Sequence, residues 1–181
     1  FFGGGRAAPS PGSTITTVDK ITYSDETIAV VPGAALSQAR YRLASTGNST
    51  AGYFGGGGPG TKSTMDKITY SSETTAALPS DGNLSAGRYY ISATSARSNA
   101  LPTTAAPPTP PNTGYFAGGL GSPGTVATMD KVDFSTDTNN VVPSAALSSP
   151  RYGGTAIGNK TAGYFGGGHP GPVTTMDKLI Y

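Results

Sequence analysis

The chain has no cysteine and no tryptophan, a single histidine, and no apolar run approaching the roughly 18 residues of a membrane-crossing helix. Without cysteine there are no disulfides, thiolate nucleophiles or zinc-finger ligand sets. His169, in "GGGHPGP", is then the lone nitrogen ligand, so neither a zinc or copper site nor a serine or cysteine triad can be assembled. No metal, cofactor or catalytic residue is expected, the chain reads as non-enzymatic, and His169 reads as a solvated turn residue. Charge is sparse as well: 12 Lys and Arg face 10 Asp and Glu, scattered singly, which leaves no footprint for nucleic acid or an anionic membrane. Only 35% of the residues are hydrophobic, so burial must be spread thinly.

What is present is glycine, proline, serine and threonine, with no apolar period of 3.6 sustained over a helix length. That composition predicts an all-β chain of short strands and many turns. It is also repetitive. "TAGYFGGG" occurs from Thr50 and again from Thr161, and the aromatic before each glycine run falls at Phe2, Phe54, Phe116 and Phe165. A second block, "TVDKITYS", "TMDKITYS", "TMDKVDFS" and "TMDKLIY", sets aspartates at Asp19, Asp66, Asp130 and Asp177. A third, "LSQARY", "LSAGRYY" and "LSSPRY", sets arginines at Arg40, Arg88 and Arg151. From arginine to phenylalanine the first and third spans are 14 residues and the second is 28. The excess is the proline-rich "LPTTAAPPTPP", a composition that favours extended surface loop.

Each unit divides into four strands. Arg40 to Thr46 forms the first, with Gly47-Asn48 as a hairpin turn tolerant of positive φ; Ala51 to Gly55 forms the second. In "MDKITY" alternate residues sort onto two faces, Asp66, Ile68 and Tyr70 on one and Met65, Lys67 and Thr69 on the other. Thr74 to Leu78 forms the fourth, stopped by Pro79 as suits an edge. The units are a partial one at 1–31, full ones at 40–78 and 88–142 (the latter carrying the insertion at about 95–112), and a partial one at 151–181. A four-stranded sheet cannot bury both faces alone, so successive copies are expected to stack, with Tyr53, Phe54, Tyr164 and Phe165 supplying bulk at each junction.

Repetition also assigns the charged letters. One aspartate and one arginine per unit is a packing requirement rather than a catalytic pair; Asp19 is one of the recurring structural positions, and Asp66, Asp130 and Asp177 are expected to accept bonds from loop amides or from Arg40, Arg88 and Arg151. The loop bearing Leu101, Pro102, Pro107, Pro108, Pro110 and Pro111 breaks the symmetry and is the candidate partner-contact loop. "FGGGGPG" from Phe54 lacks the Lys-Ser/Thr and helix of a phosphate loop and reads as a turn. Sequons at Asn48, Asn83 and Asn159 leave glycosylation undetermined.

The order of double glycine after an aromatic strand, a Tyr-bearing strand, "LP" and then arginine resembles the kelch repeat, over nearly the whole chain. The family's outer-strand tryptophan is absent, with Ala76 or Ala77 near its place in the second copy and Asn139 or Asn140 in the third. The near-verbatim "TGNSTAGYFGGG" and "IGNKTAGYFGGG" also resemble repeat-rich tail-fibre or virion proteins of marine bacteriophages, including those infecting cyanobacteria. These resemblances imply an all-β, kelch-like β-propeller of four-stranded antiparallel blades, present here as a partial ring. Missing flanking blades or other chains of a larger assembly would complete it, a fragment of a longer polypeptide being the first reading. The implied role is a structural or adhesive module of a virion or extracellular assembly contacting a host surface glycan, without membrane insertion; the alternative is a protein-binding adaptor.

Overall fold

The computed structural model describes residues 1–8, 12–96 and 111–181. Leu101 to Pro110 of the proline-rich loop therefore lie outside the described residues, while Pro111 is described and exposed. The fold is all-β, with antiparallel sheets that remain open. β1 (Phe2–Gly3), β2 (Val18–Thr22) and β3 (Thr27–Val30) form the first sheet. β4 (Ala44–Gly47), β5 (Ala51–Gly55), β6 (Met65–Thr69) and β7 (Thr74–Ala77) form the second in simple meander order. After a 3-10 turn at Ser80–Gly82 come β8 (Arg88–Tyr89), β9 (Ser92–Ser95), β10 (Thr113–Ala117), β11 (Leu120–Gly121), β12 (Thr128–Asp133) and β13 (Thr138–Ala146). Of these, β9, β10, β12 and β13 make the third sheet and β8 pairs with β11. β14 (Thr155–Gly158), β15 (Ala162–Gly166) and β16 (Met176–Ile180) make the fourth.

Register is the same in every copy. Phe2 faces Asp19, Phe54 faces Asp66, Phe116 faces Asp130 and Phe165 faces Asp177 across the ladder. Because side chains alternate along a strand, this register fixes which face each sheet turns toward the sheet before it. Phe54 and Ile68 of the second sheet pack with Val18 of the first. Phe116, Val132 and Phe134 of the third pack with Tyr53 and Met65 of the second. Phe165 of the fourth packs with Tyr115, Ala117 and Met129 of the third. The core is thus three junction clusters, and each buried phenylalanine adds about 2–3 kcal/mol of apolar burial to its junction.

The glycine run is the bed for these rings. A Cβ on Gly55 would lie 2.8 Å from Cε1 of Phe116, and one on Gly3 would lie 3.0 Å from Cε1 of Phe54. Gly56 carries a second constraint: its φ is +69°, its Cβ position is 2.5 Å from the carbonyl oxygen of Arg88, and the Gly57 N–H donates to that same carbonyl at 2.8 Å. A side chain there would be strained and would part the two sheets.

Three local expectations are corrected. The first strand of the second unit begins at Ala44 rather than Arg40, because Arg42 has left-handed backbone at φ 59° and breaks the extended run. Gly47 lies in β4, and the turn is made by Asn48, whose side-chain oxygen accepts from Thr50 N, Thr50 Oγ1 and Ala51 N. The unit placed at 88–142 runs on past its bound, because β13 continues through Pro143 to Ala146 as a sheet edge, with a register shift against β12 between Thr128 and Asp130.

Candidate functional site

The repeated charges are used inside the sheets. Arg40 pairs with Asp66, Arg88 with Asp130 and Arg151 with Asp177. Each arginine sits in the connection entering its sheet, and each aspartate on that sheet's "MDK" strand. Arg40 also donates to the carbonyls of Gly56 at 3.2 Å and Thr64 at 2.5 Å, tying the glycine run to the sheet. The aspartates receive backbone N–H donors from the repeated Leu-Ser pair: Ser37 to Asp66, Ser85 to Asp130 and Ser148 to Asp177, at 3.2, 3.3 and 3.2 Å. Burial pulls Arg40 and Arg88 below the usual guanidinium range, and the adjoining Asp66 and Asp130 oppose that pull. Asp19 differs: it is half-buried and has no ion-pair partner among the described residues. In the third copy Asn139 donates to Asn83 O and Asp130 Oδ1.

A second linkage joins neighbouring sheets. Lys20 of the first pairs with Glu73 of the second, and Lys67 of the second with Asp137 of the third. Aromatic rings repeat this step: Phe1 stacks on Tyr70 at 5.4 Å, Tyr53 on Phe134 at 4.7 Å and Tyr115 on Tyr181 at 5.2 Å. Burial, together with a hydrogen bond to Asp137, pushes the Tyr53 phenol well above its ordinary range, and burial also raises Tyr70 and Tyr181. An acid raised in the folded state resists ionisation that the unfolded chain undergoes. Stability should therefore be unaffected by these groups through neutral pH and fall above about pH 10. Melting temperature against pH checks this, and a level profile well past that point would contradict it.

The remaining feature is on the surface. The residue two past each repeated arginine, Arg42, Tyr90 or Gly153, has left-handed backbone at φ 59°, 56° and 67°. Backbone bonds string these positions together, Tyr90 N to Arg42 O at 2.9 Å and Gly153 N to Tyr90 O at 2.7 Å. Side chains along this line form a strip across all four sheets. The Arg6 guanidinium lies over Tyr41 at 4.2 Å, and that of Arg42 over Tyr41 at 4.8 Å and Tyr90 at 4.3 Å. Tyr90 meets Tyr152 at 5.5 Å, and Tyr152 stacks on His169 at 5.5 Å. Glycine adopts this backbone without penalty, as at Gly153, whereas arginine and tyrosine are strained there by about 1–2 kcal/mol each.

Sequence reasoning did not assemble this strip. Its signal was the aromatic after each arginine, in "RYR", "RYY" and "RYG". A groove of about 430 Å³ also opens among β4, β9 and β14, lined by Thr46, Asn48, Thr94 and Ile157. Among the described residues no cluster of His, Asp and Glu could hold a metal ion. No helix of the described residues is long and apolar enough to cross a membrane.

Compared with known proteins, the chain matches no family model and no curated sequence.

Proposed function

We propose that the chain is a non-enzymatic, kelch-like β-propeller segment. It serves as a structural and adhesive module of a virion or other extracellular assembly, such as a tail fibre, and contacts a surface glycan through the arginine–tyrosine strip. The strip carries this reading. Flat aromatic faces separated by guanidinium groups suit sugar rings, which offer C–H faces for stacking and hydroxyls for hydrogen bonding. Two further observations support it. β9 lies against both β4 and β14, so one end strand from each of three successive sheets meets its neighbours, as the innermost strands of adjoining blades would about an axis. The repeated Arg–Asp pairs are internal ties, which leaves the strip as the exposed chemistry common to successive units.

The test is a glycan array probed with the purified chain and with Tyr90→Gly, which substitutes the residue that the third copy already uses. Binding should fall at least tenfold in the variant while the melting temperature stays level or rises, because left-handed strain is relieved as the stacking face is lost. Glycan binding that survives Tyr90→Gly unchanged would overturn the role of the strip. Absence of glycan binding, with a folded protein captured through the same strip, would favour the adaptor alternative.

A further inference from the structure

The arginine–tyrosine strip holds positive charge that no carboxylate answers. All ten Asp and Glu side chains lie among the described residues, and five of them form the ion pairs described above, none with Arg6 or Arg42. Both of these arginines are exposed. Among the described residues Arg6 donates one side-chain hydrogen bond, to the Tyr41 hydroxyl at 3.3 Å, and the Arg42 guanidinium donates none. Tyrosine rings hold them instead: Arg6 and Arg42 lie 4.2 and 4.8 Å from the centre of Tyr41, and Arg42 lies 4.3 Å from that of Tyr90. A guanidinium carried over ring faces keeps its fork of N–H donors free for an oxyanion.

The missing acid is a property of every copy. The strip is built from two kinds of segment, one through each "RY" pair and one after each glycine run. Backbone bridges join them, Tyr41 with Gly58, Tyr89 with Leu120 and Tyr152 with His169. The "RY" segments, 37–46, 85–95 and 148–157, contain no Asp or Glu, and neither do the glycine-run segments, 3–17, 56–63, 117–127 and 166–175. Apart from the buried Arg40, Arg88 and Arg151, these segments hold Arg6, Arg42 and Lys62. Exposed acids gather at the other end of the sheets, in the hairpin turns that follow β2, β6 and β12. The repeat thus keeps negative charge away from the end where Arg6 and Arg42 stand.

The cations occupy one part of the strip and uncharged rings the next. Beyond Arg42 come Tyr90 and Tyr152, 5.5 Å apart, and neither Tyr90 nor Gly153 repeats the cation that the second unit places at Arg42. We infer that the strip takes an acidic sugar: the sugar ring lies on Tyr90 and Tyr152 while its carboxylate or sulfate ester pairs with Arg42 and Arg6. The oxyanion accepts the free N–H donors and relieves the repulsion between two cations gathered around one ring. This inference rests on the glycan reading proposed above and names the class of sugar.

Matched probes that differ in charge test it: oligogalacturonate against its methyl ester for the carboxylate, and dextran sulfate against dextran for the sulfate ester. Affinities are measured at about 0.15 M salt, where long-range attraction is screened. The charged member of at least one pair should bind more than about tenfold tighter than its neutral partner, and the pair that does so identifies the acid. Arg42→Gln and Arg6→Gln should each reduce that preference to about twofold or less. Arg6 lies outside the left-handed positions, so its variant decides the matter even where Arg42→Gln disturbs the fold, which circular dichroism reports. Lys160→Gln, which removes an exposed cation in the β14–β15 turn away from the strip, should leave the preference as it is. Equal affinity for charged and neutral probes would overturn the inference, as would a preference that survives both arginine variants or falls with Lys160→Gln. Inorganic polyphosphate bound as tightly as the better sugar probe would overturn it too, assigning the cations to polyanions at large. Neutral and charged glycans bound alike, and both lost in Tyr90→Gly, would sink this inference and leave the glycan reading standing; no glycan bound at all would sink both.

Discussion

Asp130→Ala is expected to destabilise the chain by about 3–5 kcal/mol, because it leaves a guanidinium buried without its counter-charge. Arg88 and Asp130 are both buried, and Arg88 Nε and Nη1 have no hydrogen-bond partner among the described residues, so the carboxylate is the main group holding the cation. The loss also frees the Ser85 N–H and the Asn139 amide, both of which donate to Asp130. The repeat provides its own controls. Asp177→Ala should cost less, because Asp177 is 19% exposed and water can hydrate what remains of the pair. Asp19→Ala should cost least of the three, since no cation depends on it. Urea titrations of the three variants check the order Asp130, Asp177, Asp19. Equal losses would show that the ion pairs are not what distinguishes the copies.

Phe116→Ala should have an effect of similar size, about 3–5 kcal/mol, for a different reason. Its ring fills the junction between the second and third sheets, with Cε1 2.8 Å from where a Cβ on Gly55 would be. Truncation removes the apolar contact and leaves a void between two backbones that hydrogen bonding already holds in place. The same change at Phe2 should lie within about 0.5 kcal/mol of the parent, because that ring is more than half exposed. Thermal unfolding of both variants at a concentration low enough to keep chains apart makes the comparison. A large loss at Phe2 in that regime would mean that the register does not define the packing described here.

Much of this was legible in the letters because the chain states its fold four times. The strand Ala51 to Gly55 was readable to the residue, since an aromatic pair before a glycine run allows few other places for a strand to end. That each unit's arginine and aspartate need partners, loop amides among them, followed from their recurrence, although the serine of the repeated Leu-Ser pair was not singled out as the donor. Residue type carried little information about backbone sign: Arg42 and Tyr90 occupy a left-handed position that only Gly153, in the third copy, advertises. The strip they support was invisible for a related reason. Its members lie 48 and 62 residues apart, from Arg42 to Tyr90 and from Tyr90 to Tyr152, and meet only after the sheets have stacked. Pro143 in β13 shows the converse, a strong local stop signal outweighed because an outermost strand need not donate on its open side.

The central claim is that every sheet is sealed by its neighbour, so that the interior junctions are the stable part of the molecule. Amide hydrogen exchange under native conditions tests this most directly. The account predicts slowest exchange in β5, β6, β10 and β12, whose sheets are covered on both sides, and markedly faster exchange in β2 and β16, whose sheets are covered on one. Uniform protection along the chain, or slower exchange in β2 and β16 than in β6 and β12 for the chain kept dilute and monomeric, would contradict it.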